Sequence, residues 1–155
     1  RTADKSWIDT ADSGSTVGLV LDQSSFYAEQ GGQIYDTGFM TAPGADGGED
    51  TEFCVTNVQK KGAYNLHIGT VELGSIKIGD TLALTVDTDR RRTIMSNHTA
   101  THILNYGLRQ VIGVADQKGS LVEQDKMRFD FTAKKALTAK QASFFDTISP
   151  HCCGM

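Results

Sequence analysis

The sequence predicts an α+β fold, and three features of its patterning carry that prediction. Between Ser15 and about Val86, short apolar stretches at period two recur between turn residues. From Ser96 to Val111 the apolar spacing lengthens to that of a helix. Period two then returns in KMRFDFT, residues 126–132. The expected architecture is a small β-barrel up to about residue 93, followed by a mixed helix and strand segment.

The first half supplies the strands. TVGLVLD (16–22), FCVTNVQ (53–59), NLHIGTV (65–71) and DTLALTVD (80–87) are rich in β-branched and apolar residues, and Gly62, Gly69, Gly74 and Gly79 punctuate them. In FYAEQGGQIYDTG (26–38), Gly31 and Gly32 permit backbone angles closed to other residues. Glu29, Gln30 and Gln33 set polar side chains around them. A β-turn between two strands and a close approach of a ligand's backbone both fit this stretch. No Gly-Lys-Ser or Gly-Lys-Thr follows, so it is not a phosphate loop. TAPGADGGED (41–50) reads as a surface loop.

The second half begins with Arg90, Arg91 and Arg92, a run that fits either a contact to RNA or a solvated charge face. Ile103, Leu104, Leu108, Val111 and Ile112 then form a helical apolar face, with Ser96 or Asn97 as N-cap and Gly113 as stop. On that reading His98 and His102 fall in the first two turns. In the strand that follows, Met127, Phe129 and Phe131 share one side, and Arg128 and Asp130 the other. Composition favours a further helix from Ala133 to Phe145.

At 155 residues the chain is long enough for one domain with a core of its own. It begins at Arg1 rather than Met, so a piece of a longer protein is expected. No run of about 18 apolar residues occurs and no secretory pattern opens the chain, which favours a soluble protein without membrane contact. Cys54, Cys152 and Cys153 make an odd count with two adjacent, a set unlike a disulfide framework, and a cytoplasmic setting is expected. With a net charge of -4 the chain lacks the basic balance of a protein that grips DNA or RNA by charge alone, so RNA contacts should be local.

His98 and His102 stand at i and i+4, which puts both imidazoles on one helix face roughly 6 Å apart. Zinc accepts neutral histidine, but two ligands are half of a tetrahedral set. The spacing alone is weak evidence and fits ordinary surface or core histidines better than a metal site. Thr99 stands where an H-E-x-x-H zinc protease carries its general base, so that class is disfavoured. Cys54 and His67 lie within alternating strands and read as packing or surface positions. The Asn97-His98-Thr99 match to a glycosylation acceptor reads as chance within a helix.

Taken in order and spacing, FYAEQGGQIYDTG, RRRTIMSNHTATHILNYGLRQVIG, DQKGSLV and MRFDFT resemble the editing domains of the alanyl-tRNA synthetase family over roughly residues 15 to 135. Phe-Tyr-Ala-Glu-Gln-Gly-Gly-Gln is similar to the synthetases, the eukaryotic cytoplasmic forms above all, rather than to free-standing editing relatives. The resemblance implies a β-barrel part over 1–93, an incomplete α/β editing core over 94–140 and a divergent tail over 141–155. It implies that His98 and His102 bind Zn2+ together with a downstream C-x-x-x-H pair. It further implies that Thr101 and Gln117 line the editing pocket and that Gly31, Gly32 and Gln33 lie beside it.

The implied activity is zinc-assisted hydrolysis of serine or glycine esterified to tRNA(Ala), acting on the acceptor end. A synthetic site built for alanine cannot exclude glycine by size and rejects an added hydroxyl weakly, which makes a second, hydrolytic site useful. ATP and Mg2+ would belong to an aminoacylation domain absent from this chain, with the rest of the synthetase upstream and downstream. No C-x-x-x-H occurs here; His151, Cys152 and Cys153 are of the right chemical type, but adjacent residues at a chain end give tetrahedral geometry poorly. A catalytically inactive tRNA-binding or interaction piece is the alternative. A plain structural zinc domain is another reading, and Gly31-Gly32-Gln33 also matches the tripeptide of peptide-releasing termination factors. A core cut short should leave apolar surface uncovered and the piece only marginally stable.

Overall fold

The computed structural model describes residues 6–44, 48–133 and 135–143. It is a mixed α+β structure dominated by sheet, with two compact units. One comprises Arg1–Gln30 with Tyr35–Arg91; the other comprises Gly31–Ile34 with Arg92–Met155.

The first unit holds β1 (Thr10–Asp12), β2 (Thr16–Val20), β3 (Gly38–Ala42), β4 (Thr51–Lys61), β5 (Tyr64–Leu73), β6 (Ser75–Lys77) and β7 (Ala83–Val86). Five of these make an antiparallel sheet in the order β2-β5-β4-β3-β7, and β1 pairs with β6 as a separate ribbon. Phe53, Val55, Val58, Met40 and Val71 are fully buried at its centre, with Phe26, Ala28, Val17, Ala11 and Ile76 around them. β4 keeps alternation only to Val55: a bulge between Val55 and Asn57 adds a residue, so that Val58 also turns inward. Without that extra residue a strict period of two would leave Val58 facing out.

The expected barrel is an open sheet. β2 and β7 are its two edges, and no pairing joins them among the described residues. Closure requires edge strands that meet at a consistent tilt and stagger. Here the edges are five and four residues long, and residues 21–25 and 79–82 line an open pocket beside them. β1, β3 and β6 lay outside the sequence expectation. β3 takes in Thr41 and Ala42, which the sequence placed in a loop.

α1 runs from Thr88 to Ile112, eight residues earlier than expected. Its cap is Asp87, whose Oδ1 accepts from Arg90 N–H at 3.0 Å. Ser96 and Asn97 are therefore interior, and the histidines stand roughly three and four turns from the start rather than in the first two. Gly113, with φ of 81°, ends the helix as expected and donates to Arg109 O at 3.0 Å. The arginine run forms the first turns. Arg91 Nε lies 3.1 Å from the buried Asp36 carboxylate, and its Nη2 donates to Ser25 O and to the same carboxylate; Arg90 donates to Tyr35 O. Two of the three arginines are thus engaged inside the first unit, and only Arg92 is fully exposed.

In the second unit, Ile94, Thr101 and Leu108 repeat every seven residues along the buried stripe of α1. Leu104, Val111 and Ile112 are half-buried beside it, whereas Ile103 is turned outward. β8 (Asp116–Val122) and β9 (Met127–Thr132) form an antiparallel hairpin. Phe129 and Phe131 stack at 6.2 Å on one face of β9, and Arg128 pairs with Asp130 at 3.1 Å on the other, as the alternation predicted. Of the helix expected from Ala133 to Phe145, only residues 139–143 are helical among those described. The tail containing His151, Cys152 and Cys153 lies outside the described residues. Met95, Tyr106 and Val114 leave apolar surface exposed on this unit.

Candidate functional site

The histidines of α1 meet the glycine-rich segment within the second unit. Gly31 and Gly32 take φ of 61° and 86°, angles that L side chains adopt at a cost. This turn brings Gly32 O against Val122 N–H at 2.7 Å, and Val122 O against Ile34 N–H at 3.0 Å, in a parallel bridge between Gln33 and Val122. The approach is close. A Cβ at Gly32 would stand 2.2 Å from Ser120 O, whereas one at Gly31 would meet nothing within 4 Å. The segment is therefore a short strand-like addition to β8, not the hairpin turn that its letters also fit.

Gln33, held in this way, reaches α1. Its Oε1 lies 2.7 Å from His98 Nδ1, and the His98 and His102 rings stand 5.0 Å apart between centroids, tilted by 45°. Both histidines are exposed. On the other flank of the segment, Gln117 Nε2 donates to Ser120 Oγ at 3.1 Å, and Ser120 Oγ donates to Gly31 O at 3.4 Å. Gln33, His98, Gln117 and Ser120 are thus linked to one short stretch of backbone, and His102 stands beside the His98 ring. Ser120 lies inside the DQKGSLV motif but was not singled out from the sequence; a serine in a strand carries no signal of its own.

Thr101 is placed differently. It is buried, and its Oγ1 lies 2.9 Å from Asn97 O and 3.3 Å from Met127 Sδ, so its one proton is used within the fold. Asn97, one turn earlier, donates both amide hydrogens, to Glu123 O at 2.8 Å and Gln124 O at 3.1 Å. That residue fastens α1 to the β8–β9 turn, a role that a helix cap or a glycosylation acceptor would not leave free.

The donor set fits half of a zinc site. A His98 Nδ1–H donated to Gln33 Oε1 would leave the lone pair on Nε2, the form in which imidazole binds metal. Among the described residues no group of three or more His, Cys, Asp or Glu side chains is placed to hold an ion. Neither His67 nor Cys54 belongs to such a group among the described residues. His67 is fully buried between Ser24 Oγ at 2.7 Å and Leu19 O at 3.2 Å, and burial lowers its pKa, partly opposed by the Leu19 carbonyl. Cys54 is half-buried in β4, and its thiol pKa is raised by burial first, then by Glu72 and Glu52, which disfavours the thiolate.

Comparison with known proteins agrees with the resemblance at the level of the family. The model of class II tRNA synthetases (A) matches residues 2–90. Over 138 residues the chain is 54% identical to the cytoplasmic alanine–tRNA ligase of Bombyx mori, covering 88% of this chain and 14% of that protein. It is 47% identical to the cytoplasmic enzyme of Caenorhabditis elegans over 138 residues, with 89% and 14% covered. Against the alanine–tRNA ligase of Rhodopseudomonas palustris it is 49% identical over 145 residues, with 92% and 16% covered. The chain therefore spans about one seventh of the length of the curated relatives it matches. No described helix is long and apolar enough to cross a membrane.

Proposed function

The chain belongs to the class II tRNA synthetases, and on that footing we propose that it is a piece of an alanine–tRNA ligase carrying part of the editing domain. The reaction is hydrolysis of the ester that joins serine or glycine to tRNA(Ala). Water attacks the carbonyl, the acyl–oxygen bond breaks, the ribose oxygen takes up a proton, and the amino acid leaves as its carboxylate. Two readouts of the geometry support this reading: a paired-histidine half-site, and amides of Gln33 and Gln117 tied to the same glycine segment.

His98 and His102 would hold Zn2+, with the remaining ligands supplied from outside the described residues. Bound there, zinc would supply Lewis-acid polarisation or substrate orientation. Gln117 offers an amide to the substrate's hydroxyl or to the attacking water, and Thr101 shapes the helix face beside the histidines. The acceptor end of tRNA(Ala) is the partner, and the cytoplasm, named in the titles of several relatives, is the proposed setting. Aminoacylation with ATP and Mg2+ is assigned to the parts of the ligase beyond the matched seventh.

The observation that carries the proposal is the side-by-side His98 and His102 pair with one ring oriented by Gln33. The lack of a third ligand among the described residues favours a second reading, an inactive tRNA-binding piece. Deacylation of Ser-tRNA(Ala) with and without added Zn2+, beside the His98→Ala, His102→Ala double variant, separates them. Editing predicts zinc-dependent release of serine that the double variant loses; retention of tRNA with no release under any metal condition supports the inactive reading.

A further inference from the structure

The sequence placed Gln33 beside a pocket, but its side chain points to a more specific task. Three observations converge on it. Two backbone hydrogen bonds, from Val122 N–H to Gly32 O and from Ile34 N–H to Val122 O, clamp the segment to β8 as the parallel bridge of Gln33 with Val122, and a Cβ at Gly32 would stand 2.2 Å from Ser120 O. Ser120 braces the preceding carbonyl, Gly31 O, at 3.4 Å. From that base the side-chain oxygen meets His98 Nδ1 at 2.7 Å, a short bond to an otherwise exposed ring.

An exposed histidine on a helix ordinarily rotates about its side-chain bonds and exchanges its proton between two ring nitrogens. A fixed carbonyl oxygen at Nδ1 removes both freedoms. The proton stays on Nδ1, and Nε2 is left as the lone-pair nitrogen of a ring that stands 5.0 Å from His102. We infer that Gln33 is a positioning residue: it selects the Nδ1–H tautomer of His98 and orients its Nε2 for a ligand shared with His102. Gly32 belongs to the same device, because its close pairing with β8 places Gln33 where it can reach. The inference deepens the zinc reading above and rests on it for the identity of the ligand, while the tautomer itself does not depend on any metal.

The test uses the whole 155-residue chain with two variants, Gln33→Met, which keeps size and removes the acceptor, and Gln33→Glu, which keeps an acceptor oxygen. Long-range nitrogen–proton NMR of the metal-free proteins reads the His98 tautomer directly. Wild type and Gln33→Glu should hold the proton on Nδ1, and Gln33→Met should shift it toward Nε2. Zinc titration of the same samples should show affinity for the metal alone reduced about 10- to 100-fold in Gln33→Met, the usual effect of losing a hydrogen bond behind a ligating histidine. An unchanged tautomer in Gln33→Met overturns the inference. A shifted tautomer with no zinc bound by wild type upholds the positioning role and overturns the zinc reading instead.

Discussion

Replacing Gly32 by alanine, with Gly31→Ala beside it, isolates the clamp on which the candidate site depends. Both positions have positive φ, so each alanine carries a backbone cost of about 1–2 kcal/mol. They differ in space. At Gly31 the methyl enters open solvent, whereas at Gly32 it lands 2.2 Å from Ser120 O and 2.9 Å from Ser120 C, backbone atoms that cannot move aside without parting the segment from β8. Parting breaks the bonds from Val122 N–H to Gly32 O and from Ile34 N–H to Val122 O, at about 0.5–1.5 kcal/mol each. Gly32→Ala should therefore cost about 2–5 kcal/mol against about 1–2 for Gly31→Ala. Urea unfolding gives the totals, and amide hydrogen exchange at Val122 and Ile34 reports whether the loss is local. Equal costs for the two variants, or wild-type protection at Val122 and Ile34 in Gly32→Ala, would refute the clamp.

Three further outcomes follow from the geometry. His67 is buried neutral with a lowered pKa, so below its ordinary value of 6.5 the unfolded chain takes up a proton that the folded one refuses. Stability should thus be full above about pH 6.5 and fall on acidification by up to about 1.4 kcal/mol per pH unit, until the folded-state pKa is passed. His67→Gln should flatten that slope; an identical pH profile in the variant speaks against it. Asp36→Asn removes the charge that holds Arg91 and accepts from Tyr27 N–H at 2.7 Å, and should cost about 1.5–3 kcal/mol in urea unfolding, whereas Arg92→Ala should stay within about 0.5. Thr101→Val should leave stability within about 1.5 kcal/mol, because the Asn97 carbonyl keeps its helix position, yet lower Ser-tRNA(Ala) deacylation at least tenfold if the hydroxyl serves the reaction. Full activity in that variant assigns Thr101 to packing alone.

The strands of β2, β4, β5, β7 and β9 were legible because each carries its own apolar alternation within a few residues. β1 and β6 were not, since three residues hold no period, and β3 hid behind the glycines and the Pro43 of the loop beyond it. The helix start was misplaced for a physical reason: Asp87 followed by Thr88 and Asp89 is a good cap and first turn, but the three arginines after it read as an RNA contact or a solvated charge face, although arginine is a strong helix former. Their partners, Asp36 and the carbonyls of Ser25 and Tyr35, lie more than fifty residues away, so nothing local marked them as engaged.

The same distinction separates what was legible in the site from what was not. Two histidines four residues apart declare a shared helix face, because the helix itself fixes their relation, and the structure returns rings 5.0 Å apart. What the spacing cannot carry is which nitrogen of His98 faces the ligand. That depends on Gln33, 65 residues earlier, and on the contact of Ser120 with Gly31, 89 residues apart. The letters Gly-Gly-Gln permit several turns and several chemistries; both glycines take positive φ, but only at Gly32 would a Cβ also stand 2.2 Å from Ser120 O. A motif read as a string weighs both glycines alike. Their different surroundings are what turn the string into a device for aiming one side chain, and they predict that substitutions at Gly32 and Gln33 will share a phenotype that Gly31 does not.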